Sequence, residues 1–190
     1  NAMSIPFVQA LTAAVETANG DGAQAIVLTS KSSIFSAGLD VPSLLPLGHD
    51  DIVTLWRELF RMMRVMIASP IPVIGALSGH APAGGCVMAI CCDYRIMAEE
   101  AKYKIGLNEV AVGIPMPDMI YQVLRYLVGS RQAANMCSTA ELMNPQKALR
   151  IGLVDELVPA AEVRAQALEY AQTLTRLPPN AMQLTRTQCR

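Results

Sequence analysis

The chain has 190 residues, the length of one domain with a sizeable core, and its 52% apolar content is typical of a globular protein rather than a disordered one. A net charge of −1, with no basic stretch interleaved with aromatic residues, argues against binding to nucleic acid or to an anionic membrane. No apolar run reaches the length of a membrane span, because Pro, Gly, Ser or a charged residue interrupts each candidate.

The first third of the chain predicts a helix, a strand and a loop. Residues 5–19 carry apolar side chains at helical spacing and end in an Asn-Gly-Asp-Gly cluster, which predicts an amphipathic helix followed by a turn. Residues 25–29 form a β-branched run typical of a buried strand, and a loop is expected over residues 30–47. The start of the chain allows two interpretations: a cloning remnant ahead of an initiator Met3, or the interior of a longer chain whose early strands are absent.

The middle of the chain repeats this alternation. Residues 50–68 have helical periodicity and Ser69-Pro70 ends the helix, after which residues 72–77 resemble a second buried strand. Gly84-Gly85 precedes an apolar helical stretch over residues 86–92. The other expected elements are short segments at 94–97 and 102–105, helices at 117–128, 130–140, 145–150 and 161–176, and a strand at 153–157.

Strands that alternate with helices predict an α/β domain. The later helices have few strands between them, so they resemble an appended layer that could pack on another subunit. The five cysteines are odd in number, show no metal-binding spacing and are predicted to be buried thiols in a reducing compartment. They are Cys86, Cys91, Cys92, Cys137 and Cys189.

Two loops offer backbone N–H groups to a ligand. Residues 34–40 place small residues, including Gly38, directly after a strand, where a tight turn exposes amides. Taken alone, this segment fits an ordinary turn better. Residues 78–86 repeat the arrangement around Gly84, and there a helix follows at once, so its first N–H groups face an oxygen that gains negative charge. Two such loops in one domain suggest a pair of donors.

Glu109 is an acid among apolar neighbours in residues 108–113. Burial would raise its pKa and make it a better proton acceptor near neutral pH. The local sequence alone slightly favours a solvent-facing glutamate.

Four segments together resemble the crotonase family, also called the enoyl-CoA hydratase/isomerase family. They are residues 35–40, 84–95, 106–115 and 144–155, in the family's order and spacing, so that the resemblance covers nearly the whole chain. Residues 1–4 also resemble the motif that opens the family's first long helix, which favours the interpretation of absent early strands.

The resemblance implies a crotonase-like (ββα)n superhelical core with a C-terminal helical trimerisation layer. The chain is then one domain over residues 1–190, with the α/β core at about 1–125 and the mainly helical layer at about 126–190. A homotrimer or a dimer of trimers is the expected assembly.

The resemblance also assigns the site. The backbone N–H groups of Leu39 and Gly84 are expected to hold the thioester oxygen of an acyl-CoA. The residues expected to line the thioester channel are Ser36, Ala37, Gly38, Leu39, Asp40 and Gly84.

The family's hydratases carry two glutamates, and here the first of these positions holds Val87, which cannot bind or activate water. Glu109 matches the second, and the Gly-Leu-Asn-Glu sequence ending there resembles the Δ3,Δ2-enoyl-CoA isomerase branch. The expected activity is therefore transfer of a C3=C4 double bond to C2=C3, with Glu109 moving the proton. Thioester hydrolysis, decarboxylation, hydration and a non-catalytic acyl-CoA-binding scaffold stay open as alternatives.

No metal or redox cofactor is expected, since CoA is part of the substrate. The expected location is the cytoplasm in a bacterium, or the mitochondrial matrix or peroxisome in a eukaryote. His80 could contact substrate from the second loop, but a structural hydrogen bond is favoured. Asp118 could be a second acid, but a charge at the start of a helix is favoured.

Overall fold

The computed structural model describes residues 2–31, 33–44 and 46–189, with Val41 described by its backbone alone. Asn1, the first residue of the N-terminal segment 1–4 discussed above, lies outside the described residues. In chain order the elements are β1 (Ala2–Met3), α1 (Ile5–Gly20), β2 (Ile26–Thr29), β3 (Gly38–Leu39), α2 (Val41–Leu44), α3 (His49–Ile67), β4 (Val73–Leu77), β5 (Ala81–Pro82), α4 (Gly84–Ile90), β6 (Tyr94–Ala98), β7 (Ile105–Gly106), a 3₁₀ turn (Glu109–Val112), α5 (Asp118–Val128), α6 (Ser130–Thr139), α7 (Pro145–Arg150), β8 (Glu156–Val158), α8 (Val163–Thr175) and α9 (Pro179–Cys189).

A parallel sheet of four strands, in the order β2-β4-β6-β8, forms the centre of the fold. Strand β4 is paired on both sides, with Val27 opposite Ile74 and Ile74 opposite Tyr94. All five residues of β4 are buried, as expected for a parallel strand that is covered on both faces. The predicted alternation of strands and helices is confirmed, and β8, from the C-terminal part of the chain, belongs to this sheet.

The shorter strands form parallel pairs that support the loops described below. Strand β1 pairs with β3, and β5 pairs with β7. A further parallel bridge joins Ile34 to His80, so residues 34–36, β5 and β7 run side by side. Elements of two residues are too short to show a hydrophobic period, and the sequence did not predict β1 or β5.

The core is rich in methionine and lies between the sheet and its helices. Helix α3 presents one apolar face to α1, and burial of each such side chain contributes about 1.5–3 kcal/mol. The buried residues of this face are Leu55, Leu59, Met62, Met63 and Met66. Ser4 caps α1 by accepting a hydrogen bond from the Phe7 N–H, which fixes where that helix begins.

Helix α9 is the longest element that the sequence did not predict. None of its residues is fully buried, so it lacks the apolar stripe that reveals most helices. Arg186 attaches α9 to the domain instead. Its Nε and Nη2 donate to the two carboxylate oxygens of Asp93 at 2.9 and 2.6 Å, and its Nη1 donates to the Ser69 carbonyl at 2.9 Å.

Replacing Arg186 with alanine is expected to lower the free energy of unfolding by about 1.5–3 kcal/mol, because a paired, largely buried carboxylate loses its charged partner. Amide hydrogen exchange within residues 179–189 should accelerate more than exchange in β4. Arg164→Ala, on an exposed position of α8, serves as the control and should change neither quantity. Unchanged exchange in α9 of the Arg186 variant would show that other contacts hold this helix.

The cysteine prediction is correct for four positions and wrong for the fifth. Cys86, Cys91, Cys92 and Cys137 are buried, whereas Cys189 is exposed because it lies on the poorly covered helix α9. Among the helices of the described residues, none combines the length and the apolar character that a membrane span requires.

Candidate functional site

Three loops leave the fold at the same edge because the strands before them are parallel neighbours. The Phe35 N–H donates to the His80 carbonyl at 2.8 Å, and the Ala81 N–H donates to the Lys104 carbonyl at 2.8 Å. Pro82 pairs with Gly106, so the loop to Gly84 and the loop to Glu109 begin side by side. Adjacent strands lie about 4.8 Å apart, which brings the loops into contact range.

The first loop fits closely against the second at Gly38. This residue has a φ of +82°, a conformation that favours glycine. A β-carbon added at Gly38 would lie 2.7 Å from the β-carbon of Ala83 and 2.9 Å from the Gly84 nitrogen. The buried Ser36 hydroxyl accepts a hydrogen bond from the Gly38 N–H at 3.2 Å and so stabilises the turn. The two loops therefore approach to a distance that only a glycine at position 38 permits.

The Leu39 N–H points away from strand β1. The Asp40 N–H donates to the Met3 carbonyl at 3.2 Å, and successive N–H groups of an extended strand alternate between its two edges. Leu39 also lines a cavity of about 610 Å³ with mostly apolar walls. This cavity therefore adjoins the residue whose amide is predicted to bind the thioester oxygen.

Gly84 is the first residue of α4, where backbone N–H groups have no partner within the helix. The first helical hydrogen bond runs from the Val87 N–H to the Ala83 carbonyl at 2.9 Å. A β-carbon on Gly84 would lie 3.0 Å from the Gly38 α-carbon and 2.2 Å from the Met3 sulfur. The Gly84 amide thus lies directly beside the first loop.

Ala83, which joins β5 to α4, has an unusual backbone conformation with φ 47° and ψ −119°. A residue with a side chain reaches this region at a cost of about 1–3 kcal/mol. Such strain persists only where the surrounding contacts fix it.

Glu109 begins the 3₁₀ turn after β7, and only 7% of its surface is exposed. Burial raises its pKa, and a hydrogen bond from its own backbone N–H opposes part of that effect. Its Oε2 is buried and has no hydrogen-bond partner among the described residues. The sequence alone slightly favoured a solvent-facing glutamate, and the structure shows a buried one.

Two thiols lie within electrostatic range of Glu109. The pKa of Cys86 is raised chiefly by burial and then by the charge of Glu109, and the pKa of Cys137 is raised by the same two causes. Cys86 follows Gly84 by two residues on α4. The charge of Glu109 therefore acts on α4, the helix that Gly84 begins.

The 610 Å³ cavity has walls that the sequence did not assign to the site. They come from α3 and from the segment after the 3₁₀ turn, and include Leu44, Ile52, Trp56, Ile114 and Met116. Ile52 and Trp56 fit the helical period of residues 50–68, but a residue that lines a cavity has the same periodicity as one in the core. Another cavity, of about 450 Å³, lies between α5 and α9, and no residue of the three loops lines it.

The structure thus brings Gly38, Leu39 and Gly84 together, with Glu109 on the adjoining loop. Ala37 is exposed and Asp40 is partly buried on the same first loop. Val87 lies on α4 with 1% of its surface exposed. The binding and catalytic roles of these residues stay predictions.

His80 and Asp118 make local hydrogen bonds. The Nδ1 of His80 accepts from the Lys104 N–H at 3.2 Å, and its ring packs edge-on against Tyr103. Asp118 lies in the first turn of α5 and accepts from the Gln122 side chain at 3.0 Å. Both arrangements agree with the structural interpretations drawn from the sequence.

The raised pKa of Glu109 predicts how Glu109→Gln changes stability with pH. The folded chain holds this proton more tightly than the unfolded chain. Tighter proton binding by Glu109 in the folded chain contributes to the free energy of unfolding. This contribution is fully present below the ordinary glutamate pKa of about 4.3 and is lost as pH rises through the raised pKa of the folded chain. The variant lacks this titration, so its free energy of unfolding should exceed that of the wild type at pH 8 and match it at pH 4.

Urea unfolding of both proteins at the two pH values measures this difference. Glu162→Gln, at an exposed position ahead of α8, is the control and should show no gain in stability at pH 8. A difference for Glu109→Gln that does not grow with pH would contradict burial of an ionisable carboxyl group.

Comparison with known proteins places this geometry in context. The family model described as "Enoyl-CoA hydratase/isomerase" matches residues 1–190. The chain is 32% identical to "Enoyl-CoA delta isomerase 1, mitochondrial" of Mus musculus over 192 residues, covering 100% of this chain and 66% of that protein. It is 29% identical to "Putative enoyl-CoA hydratase" of Thermus thermophilus over 190 residues, covering 98% of this chain and 74% of that protein.

Solved structures of enoyl-CoA isomerases and hydratases are also similar to this chain. The crystal structure of human mitochondrial delta3-delta2-enoyl-CoA isomerase superposes with a TM-score of 0.95 at 32% identity, covering 100% of this chain and 74% of that one. An enoyl-CoA hydratase from Bacillus anthracis gives a TM-score of 0.91 at 26% identity, covering 98% and 72%. The chain spans slightly less than two thirds of the length of the curated isomerases that it matches, from 64% to 66%.

Proposed function

Because this chain belongs to the enoyl-CoA hydratase/isomerase family, we propose that its site converts a 3-enoyl-CoA into the conjugated 2-enoyl-CoA. Relatives that carry the isomerase name and relatives that carry the hydratase name are similarly distant in sequence, so the choice between these reactions depends on the residues of the site.

One observation carries the proposal: the site contains the buried carboxyl group of Glu109, while the helix position where family hydratases have their other glutamate holds Val87. Adding water across a double bond requires groups that bind and activate the water, and a valine side chain has no hydrogen-bonding atom. Moving a proton between two carbons of one substrate requires a single base that then acts as an acid.

The proposed reaction has two proton transfers. The Glu109 carboxylate removes a proton from C2, and the electrons of that C–H bond delocalise onto the thioester oxygen to form a dienolate. The backbone N–H groups of Leu39 and Gly84 donate to this oxygen. Protonated Glu109 then delivers the proton to C4, the carbonyl reforms, and the double bond lies between C2 and C3.

The raised pKa of Glu109 favours both proton removal from C2 and proton delivery to C4. A carboxylate made more basic by burial accepts a carbon-bound proton more readily, and the proton can be retained until it is delivered to C4. Amide donors that are fixed in place typically contribute about 2.7–4 kcal/mol each to stabilising an oxyanion. The apolar 610 Å³ cavity beside Leu39 can accept the acyl part of such a substrate.

Further features of the whole protein are part of this proposal. The substrate is an acyl-CoA thioester, and the reaction as written requires no metal or redox cofactor. The assembly is a homotrimer or a dimer of trimers, with the C-terminal helices as the contact layer. The location is the mitochondrial matrix or peroxisome of a eukaryote, or the cytoplasm of a bacterium.

Parallel assays with a 3-enoyl-CoA and with the 2-enoyl-CoA of equal chain length test the proposal. We expect the first substrate to give the conjugated thioester, detected by its ultraviolet absorbance, and the second to give no 3-hydroxyacyl-CoA above background. Rapid hydration of the 2-enoyl-CoA would instead favour a hydratase. Release of free CoA from either substrate would favour thioester hydrolysis.

A further inference from the structure

Ala83 has a backbone conformation that glycine adopts easily and alanine does not, with φ 47° and ψ −119°. The other described non-glycine residue with positive φ, Ala140, has φ 54° and ψ 33° at the end of α6. That is the ordinary left-handed conformation of a helix C-terminus. Ala83 therefore stands apart within the described chain, and it belongs to the second loop of the proposed site, next to Gly38 of the first loop.

Hydrogen bonds on both sides fix the conformation of Ala83. Its N–H donates to the Gly106 carbonyl at 2.9 Å, which ties it to the end of β7. Its carbonyl accepts from the Val87 N–H at 2.9 Å, which begins α4. The chain must leave a parallel strand and enter a helix within one residue, and these bonds impose the positive φ.

The methyl group of Ala83 is not needed for this turn, because a glycine would make it without strain. The methyl group lies against the first loop, since a β-carbon added to Gly38 would come within 2.7 Å of it. A β-carbon added to Gly38 would also lie 2.9 Å from the Gly84 nitrogen. The methyl group of Ala83 is thus a small, rigid spacer between Gly38, which precedes Leu39, and Gly84.

We propose that the methyl group of Ala83 is a positioning group that holds the Leu39 and Gly84 amides at the separation needed to bind one enolate oxygen. The inference rests on the proposed function, because it concerns the same pair of amides. Without the methyl group, residue 83 gains access to conformations open only to glycine, and the contact that separates the loops is lost.

The first test compares Ala83→Gly with Ala140→Gly in steady-state isomerisation of a 3-enoyl-CoA. We expect Ala83→Gly to lower kcat about tenfold with little change in KM, because misplaced donors weaken transition-state binding more than ground-state binding. Its melting temperature should stay within about 4 °C of the wild type, since relief of strain offsets the flexibility of glycine. Ala140→Gly relieves the positive φ at the end of α6 and should leave kcat unchanged.

The second test uses acetoacetyl-CoA, whose 3-keto thioester ionises to an enolate with a distinct ultraviolet absorbance. We expect the wild type to bind this enolate about tenfold more tightly than Ala83→Gly does, and both proteins to bind free CoA equally. Equal enolate binding and equal kcat in the two proteins would overturn the role of Ala83 and leave the proposed function intact. A wild type that binds CoA but not the enolate would overturn the proposed oxyanion site and this inference with it.

Discussion

Replacing Glu109 with glutamine is expected to lower kcat for isomerisation by about 10²–10⁴-fold, the usual contribution of a general base. The amide has nearly the same shape as the carboxyl group but cannot accept a proton from carbon. Binding of the CoA thioester should change little, since the predicted contacts to the thioester oxygen come from backbone amides. Steady-state kinetics with a 3-enoyl-CoA give kcat and KM separately.

Glu100→Gln is the matched control for this variant. Glu100 is a partly buried glutamate, and it accepts a hydrogen bond from the Ala160 N–H at 3.2 Å on the side of β8. Its replacement should leave kcat unchanged. A Glu109→Gln protein with activity within a few-fold of the wild type would exclude Glu109 as the proton carrier.

Replacing Gly38 with alanine is expected to lower kcat by about 10²–10³-fold, as does the loss of one oxyanion donor in other enzymes. The added methyl group would lie 2.7 Å from the Ala83 β-carbon and 2.9 Å from the Gly84 nitrogen, so the two loops must separate. The Leu39 and Gly84 amides would then no longer converge on one atom. The positive φ also makes the variant less stable, by about 1–3 kcal/mol.

Gly22→Ala separates these two effects. Gly22 has a similar φ of +78°, but a β-carbon there meets no atom within 4 Å. This control should show the loss of stability caused by backbone strain together with wild-type kcat. If Gly38→Ala keeps wild-type kcat, or if Gly22→Ala loses as much activity, the contact between the two loops is not what positions the amides.

Much of the fold follows from the sequence because its longer elements have clear hydrophobic periods. The helix expected at residues 50–68 is α3 at His49–Ile67, and the strand expected at 72–77 is β4 at Val73–Leu77. The match to the family model and to solved structures confirms the predicted α/β crotonase-like fold. The trimerisation layer stays a prediction.

The local sequence does not predict the boundaries of α4 and β8 or the existence of α9. Helix α4 begins at Gly84 rather than at Cys86, because hydrogen bonds of Ala83 start the helix despite the low helix propensity of two glycines. The strand expected at residues 153–157 begins only at Glu156. Helix α9 depends on the long-range contacts of Arg186 with Asp93 and with the Ser69 carbonyl, which no periodicity reveals.

The candidate site also has features that the sequence indicates and features that depend on the tertiary structure. Small residues after strands indicated the loops at Gly38 and Gly84, but only the parallel pairing of distant strands brings these loops and Glu109 to one edge. Burial of Glu109 depends on α6, which is distant in sequence and places Cys137 near it. The conformation of Ala83 has no signal in the sequence, because nothing in an alanine side chain predicts a positive φ.

The most direct test of a one-carboxyl proton transfer uses a 3-enoyl-CoA that carries two deuterium atoms at C2, incubated in ordinary water with the wild-type protein. If Glu109 removes a deuteron from C2 and returns it before exchange with solvent, NMR of the 2-enoyl-CoA product will show deuterium at C4. A product without deuterium at C4, or a 3-hydroxyacyl-CoA as the main product, would contradict the proposed mechanism.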